Sequence, residues 1–187
     1  MSKWMIASDL HGDAACVARL LEQYRASGAE RLILLGDLLY HGPRNDLPEG
    51  YAPKRVIELL NEVKDELLCV RGNCDTEVDQ MVLRFPILAD YAYLSVDGLT
   101  ILATHGHTWN TGNPPPLKKG DILLHGHTHV PAAEAFGEEN WYINPGSTSI
   151  PKENSPKSYM ILEDRRFTWY DPEGKEYRSF SPDGRNT

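Results

Sequence analysis

Apolar residues in this chain follow two spacings. Continuous runs at residues 4–8, 31–35 and 67–71 show no polar alternation, as expected of strands buried on both faces. Between the first two, Val17, Leu20, Leu21 and Tyr24 recur at i, i+3, i+4 and i+7, which predicts a helix that Gly28 stops. Pro53 opens a second helical pattern, with Val56, Leu59, Leu60 and Val63 on one face, after a Pro-, Gly- and Asn-rich loop over 40–52. Strand, helix, strand, helix, strand is the signature of βαβ units and a parallel sheet.

Beyond residue 90 the pattern changes. Runs at 91–96 and 99–104 flank Asp97-Gly98 and predict a hairpin. An apolar run at 122–124 follows a loop containing Pro114, Pro115 and Pro116, and shorter runs near 141–143, 158–162 and 167–170 read as antiparallel strands. Two facing mixed sheets covered by helices accommodate these elements in one domain over 1–180, with a polar tail at 181–187.

At 187 residues, 41% hydrophobic and 25% charged, the chain is an ordinary globular one with enough length for a single sizeable core. A net charge of -8 disfavours duplex nucleic acid and anionic membrane as partners. Cys16, Cys69 and Cys74 are odd in number and lack metal-type spacing, so reduced thiols and a cytoplasmic location are expected. Cys16 and Cys69 read as core residues. The N-terminus carries no long apolar stretch, and no run reaches transmembrane length.

The polar residues that close the strands carry the chemistry. Asp9 and His11 follow the first run, Asp37 the second and Asn73 the third; His105 closes the hairpin, and His125, His127 and His129 follow the run at 122–124. Side chains two apart in an extended segment share a face, so these last three histidines are expected on one side. Ligands of α/β sheets gather at the C-terminal strand edge, and imidazole is the commonest metal ligand. Asp13 is better placed as a helix N-cap than as a ligand.

Asp9-Leu10-His11, Gly36-Asp37, Gly72-Asn73, His105-Gly106 and Gly126-His127-Thr128-His129 resemble, in this order, the motifs of the calcineurin-like metallophosphoesterases, over about residues 1–163. The resemblance implies an α/β fold, a four-layer α/β/β/α sandwich of two mixed sheets flanked by helices. It implies two divalent metal ions, one held by Asp9, His11 and His129 and one by Asn73, His105 and His127, with Asp37 bridging. Water activated between the ions would hydrolyse a small phosphodiester, without a Ser or Cys nucleophile. Manganese is the expected metal, with Zn, Ni, Co or Fe also compatible with these donors.

Two departures bear on mechanism. Many family members carry His after Gly-Asn, where it assists the leaving group; here that residue is Cys74, a weaker acid around neutrality. The Arg of the protein-phosphatase Gly-Asp-x-x-Asp-Arg-Gly motif is missing from Gly36-Asp37-Leu38-Leu39-Tyr40-His41-Gly42, leaving Arg44 or His41 to reach substrate. Asp37, Cys74 and His107 are therefore the candidate catalytic residues, His107 as a substrate-orienting group. Trp109 with the Pro114–Pro116 segment is a candidate substrate wall. A scaffold of the same fold, a phosphomonoesterase and assembly into a homo-oligomer stay open.

Overall fold

The computed structural model describes residues 2–184. Its first sheet grows from three parallel strands, β1 (Lys3–Ala7), β2 (Arg31–Leu34) and β3 (Leu67–Cys69). Helix α1 (Ala14–Ser27) connects the first pair. Helix α2 (Pro53–Glu62) and a single 3-10 turn (Lys64–Glu66) connect the second. Asp13 caps α1 by accepting from the Cys16 amide at 3.0 Å, and Gly28 ends it at φ 70°, a conformation that Gly adopts without penalty. Pro53 starts α2, where its missing N–H costs nothing.

β9 (Tyr159–Glu163) joins β1 antiparallel, and β10 (Arg166–Tyr170) and β11 (Glu176–Phe180) extend that edge, giving the order β11-β10-β9-β1-β2-β3. The second sheet holds β4 (Tyr91–Val96), β5 (Leu99–Thr104), β6 (Ile122–Leu124), β7 (Ala132–Phe136) and β8 (Asn140–Asn144) in the order β4-β5-β6-β8-β7. The Asp97-Gly98 hairpin forms as expected. The run at 141–143 departs from expectation by pairing parallel with β6; only its other edge, against β7, is antiparallel. The reason is β7 itself, whose Ala-Ala-Glu-Ala-Phe sequence carries little strand propensity yet turns the chain back before β8.

Two cores follow from strand alternation. Met5, Ala7, Leu32 and Leu34 face outward onto Val17, Leu20 and Leu21 of α1 and Val56 and Leu60 of α2. Ile6, Ile33 and Leu35 face inward onto Ile101, Ala103, Ile122, Leu124 and Ile143 of the second sheet. Each buried large aliphatic contributes about 1.5–3 kcal/mol, so Leu21→Ala in the first core costs about 2–5 kcal/mol. The helices lie against the first sheet. On the far side of the second, Leu102, Leu123 and Tyr142 are also buried. There the segment after β5 runs without helix, and the Tyr93 hydroxyl reaches the Pro116 carbonyl at 3.4 Å.

Among the described residues no helix is long and apolar enough to cross a membrane. Of the segment expected as a tail, Ser181 to Gly184 close a turn, with Arg165 donating to both carboxylate oxygens of Asp183; 185–187 lie outside the described residues.

Candidate metal centre

The parallel register carries past the strand ends. Asp9 N donates to Gly36 O at 3.1 Å, His11 N to Asp37 O at 2.9 Å and Gly12 N to Leu38 O at 2.9 Å, so the loops after β1 and β2 stay aligned and bring Asp9, His11 and Asp37 together. The second sheet is pinned to the first at the same place. His105 Nδ1 donates to Leu35 O at 2.7 Å, and the His127 amide donates to Asp9 Oδ2 at 3.0 Å.

All seven candidate ligands meet there, in two groups. His129 Nε2 lies 3.3 Å and His11 Nε2 3.7 Å from Asp9 Oδ1, and the two imidazole nitrogens are 3.2 Å apart. His105 Nε2 lies 3.1 Å from Asn73 Oδ1 and 3.1 Å from His127 Nδ1. Asp37 Oδ2 stands between the groups, 3.7 Å from His11 Nε2 and 3.5 Å from His105 Nε2. For ligand distances of about 2.0–2.1 Å, the edge of a coordination tetrahedron is about 3.3–3.4 Å, close to these separations.

Side-chain protonation fits a cation as well. His11, His105 and His129 donate their outer Nδ1 to the carbonyls of Tyr40, Leu35 and Ile150 at 2.7–2.8 Å, which leaves each Nε2 lone pair facing inward. Two such lone pairs 3.2 Å apart repel unless a proton or a metal lies between them. Asp9 Oδ1 is buried without a hydrogen-bond partner, a costly state for a carboxylate and the expected one for a metal ligand. Burial opposes the Asp9 charge, yet the imidazoles of His11 and His129 outweigh it and hold its pKa well below the usual range. Burial likewise opposes a charged His105, but Asp37 and Asp9 raise its pKa to about 9 in the metal-free chain. His127, with burial and His105 both against its charge, falls to about 4.

The backbone is strained to achieve this. Among the described residues ten non-glycines have positive φ, and five of them are Asp9, His11, Asp37, His127 and His129. Such conformations cost of order 1–3 kcal/mol each and persist where their surroundings over-determine them. The surroundings here are polar and buried. Ser147 and Ser149 donate their hydroxyls to Asp9 O, both at 2.9 Å, and Asn144 donates to Gly126 O at 2.9 Å. Gly72 must be glycine because a Cβ would overlap the Asp37 carboxylate.

Asp75, absent from the expected site, holds this frame. Its carboxylate accepts from the amides of Asp37, Leu38 and Gly72 at 2.7–2.9 Å, and it is almost fully buried. Its proximity in sequence to Asn73 was the available signal. The expectation from strand parity does not hold: the strand ends at Leu124, and residues 126–129 turn, with Thr128 N bonded to Gly126 O. His127 and His129 consequently enter different groups, the division that the motif resemblance implied, while His125 stacks on Tyr142 at 4.3 Å, away from both.

A cleft opens over the cluster, bounded by Gly42, Pro43, Arg44 and Asn45 on one side and by Lys152, which the sequence reading did not single out, on another. Cys74 also lines it; burial and the Asp37 carboxylate push its thiol up, so it stays protonated at neutral pH. His107 is exposed beside the His105 ring, with its pKa lowered by burial and by His105. Trp109 and the Pro114–Pro116 segment do not border this cleft.

Known proteins agree with this architecture. Residues 3–166 match the calcineurin-like phosphoesterase superfamily domain. The phosphodiesterase YfcE of Escherichia coli K12 is 51% identical over 163 residues, covering 87% of this chain and 88% of the relative; the probable metallophosphoesterase YsnB of Bacillus subtilis is 26% identical over 183 residues, 92% of each. The solved structure of the Escherichia coli phosphoesterase Yfce superposes with a TM-score of 0.92 at 46% identity, covering 96% of this chain and 98% of that one. Motif order, ligand geometry and these likenesses together establish that the chain belongs to the calcineurin-like phosphoesterase superfamily.

Proposed function

We propose that the chain is a cytoplasmic phosphoric diester hydrolase that works with two divalent metal ions, manganese in the first instance, on a small phosphodiester. The observation that carries the reading is the position of Asp37 Oδ2 between two ligand groups, at 3.7 and 3.5 Å from their nearest imidazoles. Asp9, His11 and His129 would hold one ion, Asn73, His105 and His127 the other, and Asp37 both. Bound there, the pair supplies Lewis-acid polarisation of the phosphoryl group and a water acidic enough to lose its proton near neutral pH.

The protein's own groups do the rest. The Cys74 amide donates to Asp37 Oδ1 at 2.8 Å, so that oxygen is engaged and Oδ2 stays aimed between the groups. Arg44 and Lys152 bring positive charge to the cleft and orient the phosphoryl oxygens. Cys74, a neutral thiol, offers its S–H to the departing oxygen; His107, neutral at pH 7 and 6.2 Å from the His127 ring though not itself lining the cleft, orients the substrate. The donor set of four imidazoles, two carboxylates and one amide oxygen, without thiolate, suits a first-row divalent ion. The likeness to a protein named a phosphodiesterase supports a diester.

The test strips metal from the protein and restores Mn, Zn, Mg or Ni before assaying bis(4-nitrophenyl) phosphate and 4-nitrophenyl phosphate. Manganese is expected to restore hydrolysis, with the larger kcat/KM for the diester. No activity with any metal overturns the reading, and a reversed ratio across the metals overturns the diester assignment.

A further inference from the structure

Next to the metal-binding cleft lies a second depression, an open groove of about 400 Å3 walled by Tyr40, Tyr51, Val78 and Val82. Cys74 borders both. On the cleft side its thiol accepts from Asn73 Nδ2 at 3.3 Å, so the groove begins one side chain away from a candidate metal ligand. Tyr40 is anchored to the other ligand group, because its carbonyl receives His11 Nδ1 at 2.8 Å.

The groove is apolar, preformed and exposed. The Tyr40 ring meets His41 edge-on at 4.7 Å and His41 meets Tyr51 edge-on at 5.4 Å, which stiffens one wall. The other wall is α3 (Glu77–Val82), fixed at its start by a Thr76–Asp79 capping box. Val78, Met81 and Val82 fall at i, i+3 and i+4, a spacing that elsewhere in the chain marks a core-facing stripe, but no α3 residue is buried. Val78 is 69% exposed, and Val82 and Tyr40 are 43% exposed. Clustered apolar surface of this kind beside a polar site marks a place for a ligand. The charged side chains lining the groove, Lys54 and Asp79, have opposite signs and do not recruit a second anion; Arg44 and Lys152 lie in the cleft instead.

We propose that this groove is the subsite for one ester substituent of the substrate, a neutral apolar or aromatic group, whose phosphoryl end lies in the cleft past Cys74. The inference rests on the phosphoesterase reading above and adds the chemistry of the group attached to phosphorus. Val78 and Val82 become specificity-determining residues, touching the substituent and not the reacting atoms.

The experiment compares phenyl phosphate with methyl phosphate as competitive inhibitors of bis(4-nitrophenyl) phosphate hydrolysis by the manganese-loaded protein. A monoester has a single substituent, so the ratio of inhibition constants reports the subsite whichever bond the enzyme breaks. An open groove covers about one face of a ring, so phenyl phosphate is expected to bind about tenfold more tightly in the wild type. Val78→Asp should bring the ratio to within about twofold of unity and Val78→Phe should widen it; both changes sit at an exposed position and leave the core intact. Val82→Ser provides a second, milder loss. Equal constants in the wild type, or a ratio that Val78→Asp leaves unchanged, overturn the subsite. Failure of the reporter reaction with every metal overturns the phosphoesterase reading instead; calorimetric titration with the same two monoesters then reads the same ratio, so the two failures are distinguishable.

Discussion

The two ligand groups are built from similar donors and differ in charge and shelter. Asp9, His11 and His129 are all buried, and two of the three donors are imidazoles locked by carbonyl acceptors. In the other group His105 alone is fully buried; His127 is half-buried and Asn73 is exposed at the cleft. The first group has a carboxylate of its own besides Asp37, whereas the second has only the neutral Asn73 amide. A divalent ion would thus be held by two anionic ligands on one side and one on the other, which predicts a tight, slowly exchanging ion beside Asp9 and a weaker, more accessible one beside Asn73. The accessible side is also the one nearest Cys74 and the apolar groove. In the proposed two-metal centre, stability and access for the substrate would thereby be divided between the groups.

Removing the shared ligand breaks both groups at once and gives the largest effect. Asp37→Ala should lower kcat/KM by more than about 10²-fold and reduce bound metal from two ions per chain to one or none, read by elemental analysis. Activity above a tenth of wild type would end the bridging role. Asp75→Ala attacks the frame instead: three buried amides lose their acceptor, and a loss of about 2–3 kcal/mol should appear as a lowered melting temperature in the metal-free protein. An unchanged melting temperature would show that water replaces the carboxylate there.

Asp9→Asn sharpens the comparison by making the groups alike in charge. Wild type should titrate with two affinities at least about tenfold apart, a difference of about 1.4 kcal/mol that one carboxylate charge readily supplies; the variant should bring them together. Two equal affinities in the wild type would contradict the asymmetry.

The smallest effect concerns protons. The folded pKa of His105, about 9, lies above its ordinary 6.5, so the imidazolium stabilises the metal-free protein fully below pH 6.5, and this contribution is lost as pH rises through about 9. Metal binding must displace that proton. Titrations in buffers of different ionisation enthalpy should find release of close to one proton from the Asn73 side near pH 7.5, falling away above pH 9, with none from His127, whose pKa is about 4. Constant release from pH 7 to 10 would assign the proton to another group.

Much of this was legible in the chain itself. Continuous apolar runs and two amphipathic stripes determined β1, α1, β2, α2 and β3, because burial on both faces of a parallel sheet and on one face of a helix leaves a periodic trace. The polar residues at the strand ends identified the seven ligands as candidates, since a parallel sheet delivers every strand's C-terminal end to one edge. What sequence left out has little periodicity or is set by distant partners. Alanine-rich β7, the short α3 and the edge strand β11 carry weak patterns, and without β7 the direction of β8 is undetermined.

The motif resemblance implied how the ligands are shared out; the tertiary structure shows the backbone turn that separates them. His127 and His129 are two residues apart, yet a turn at positive φ sends one to His105 and the other to His11, against the parity of an extended strand. Nor does sequence announce that Asp75 is a hub for three amides, that Lys152 reaches the cleft, or that Val78 faces a groove and not a core. Local sequence fixes which residues are polar or apolar and with what period; which partner each one meets depends on loops closing across distances that no local period encodes.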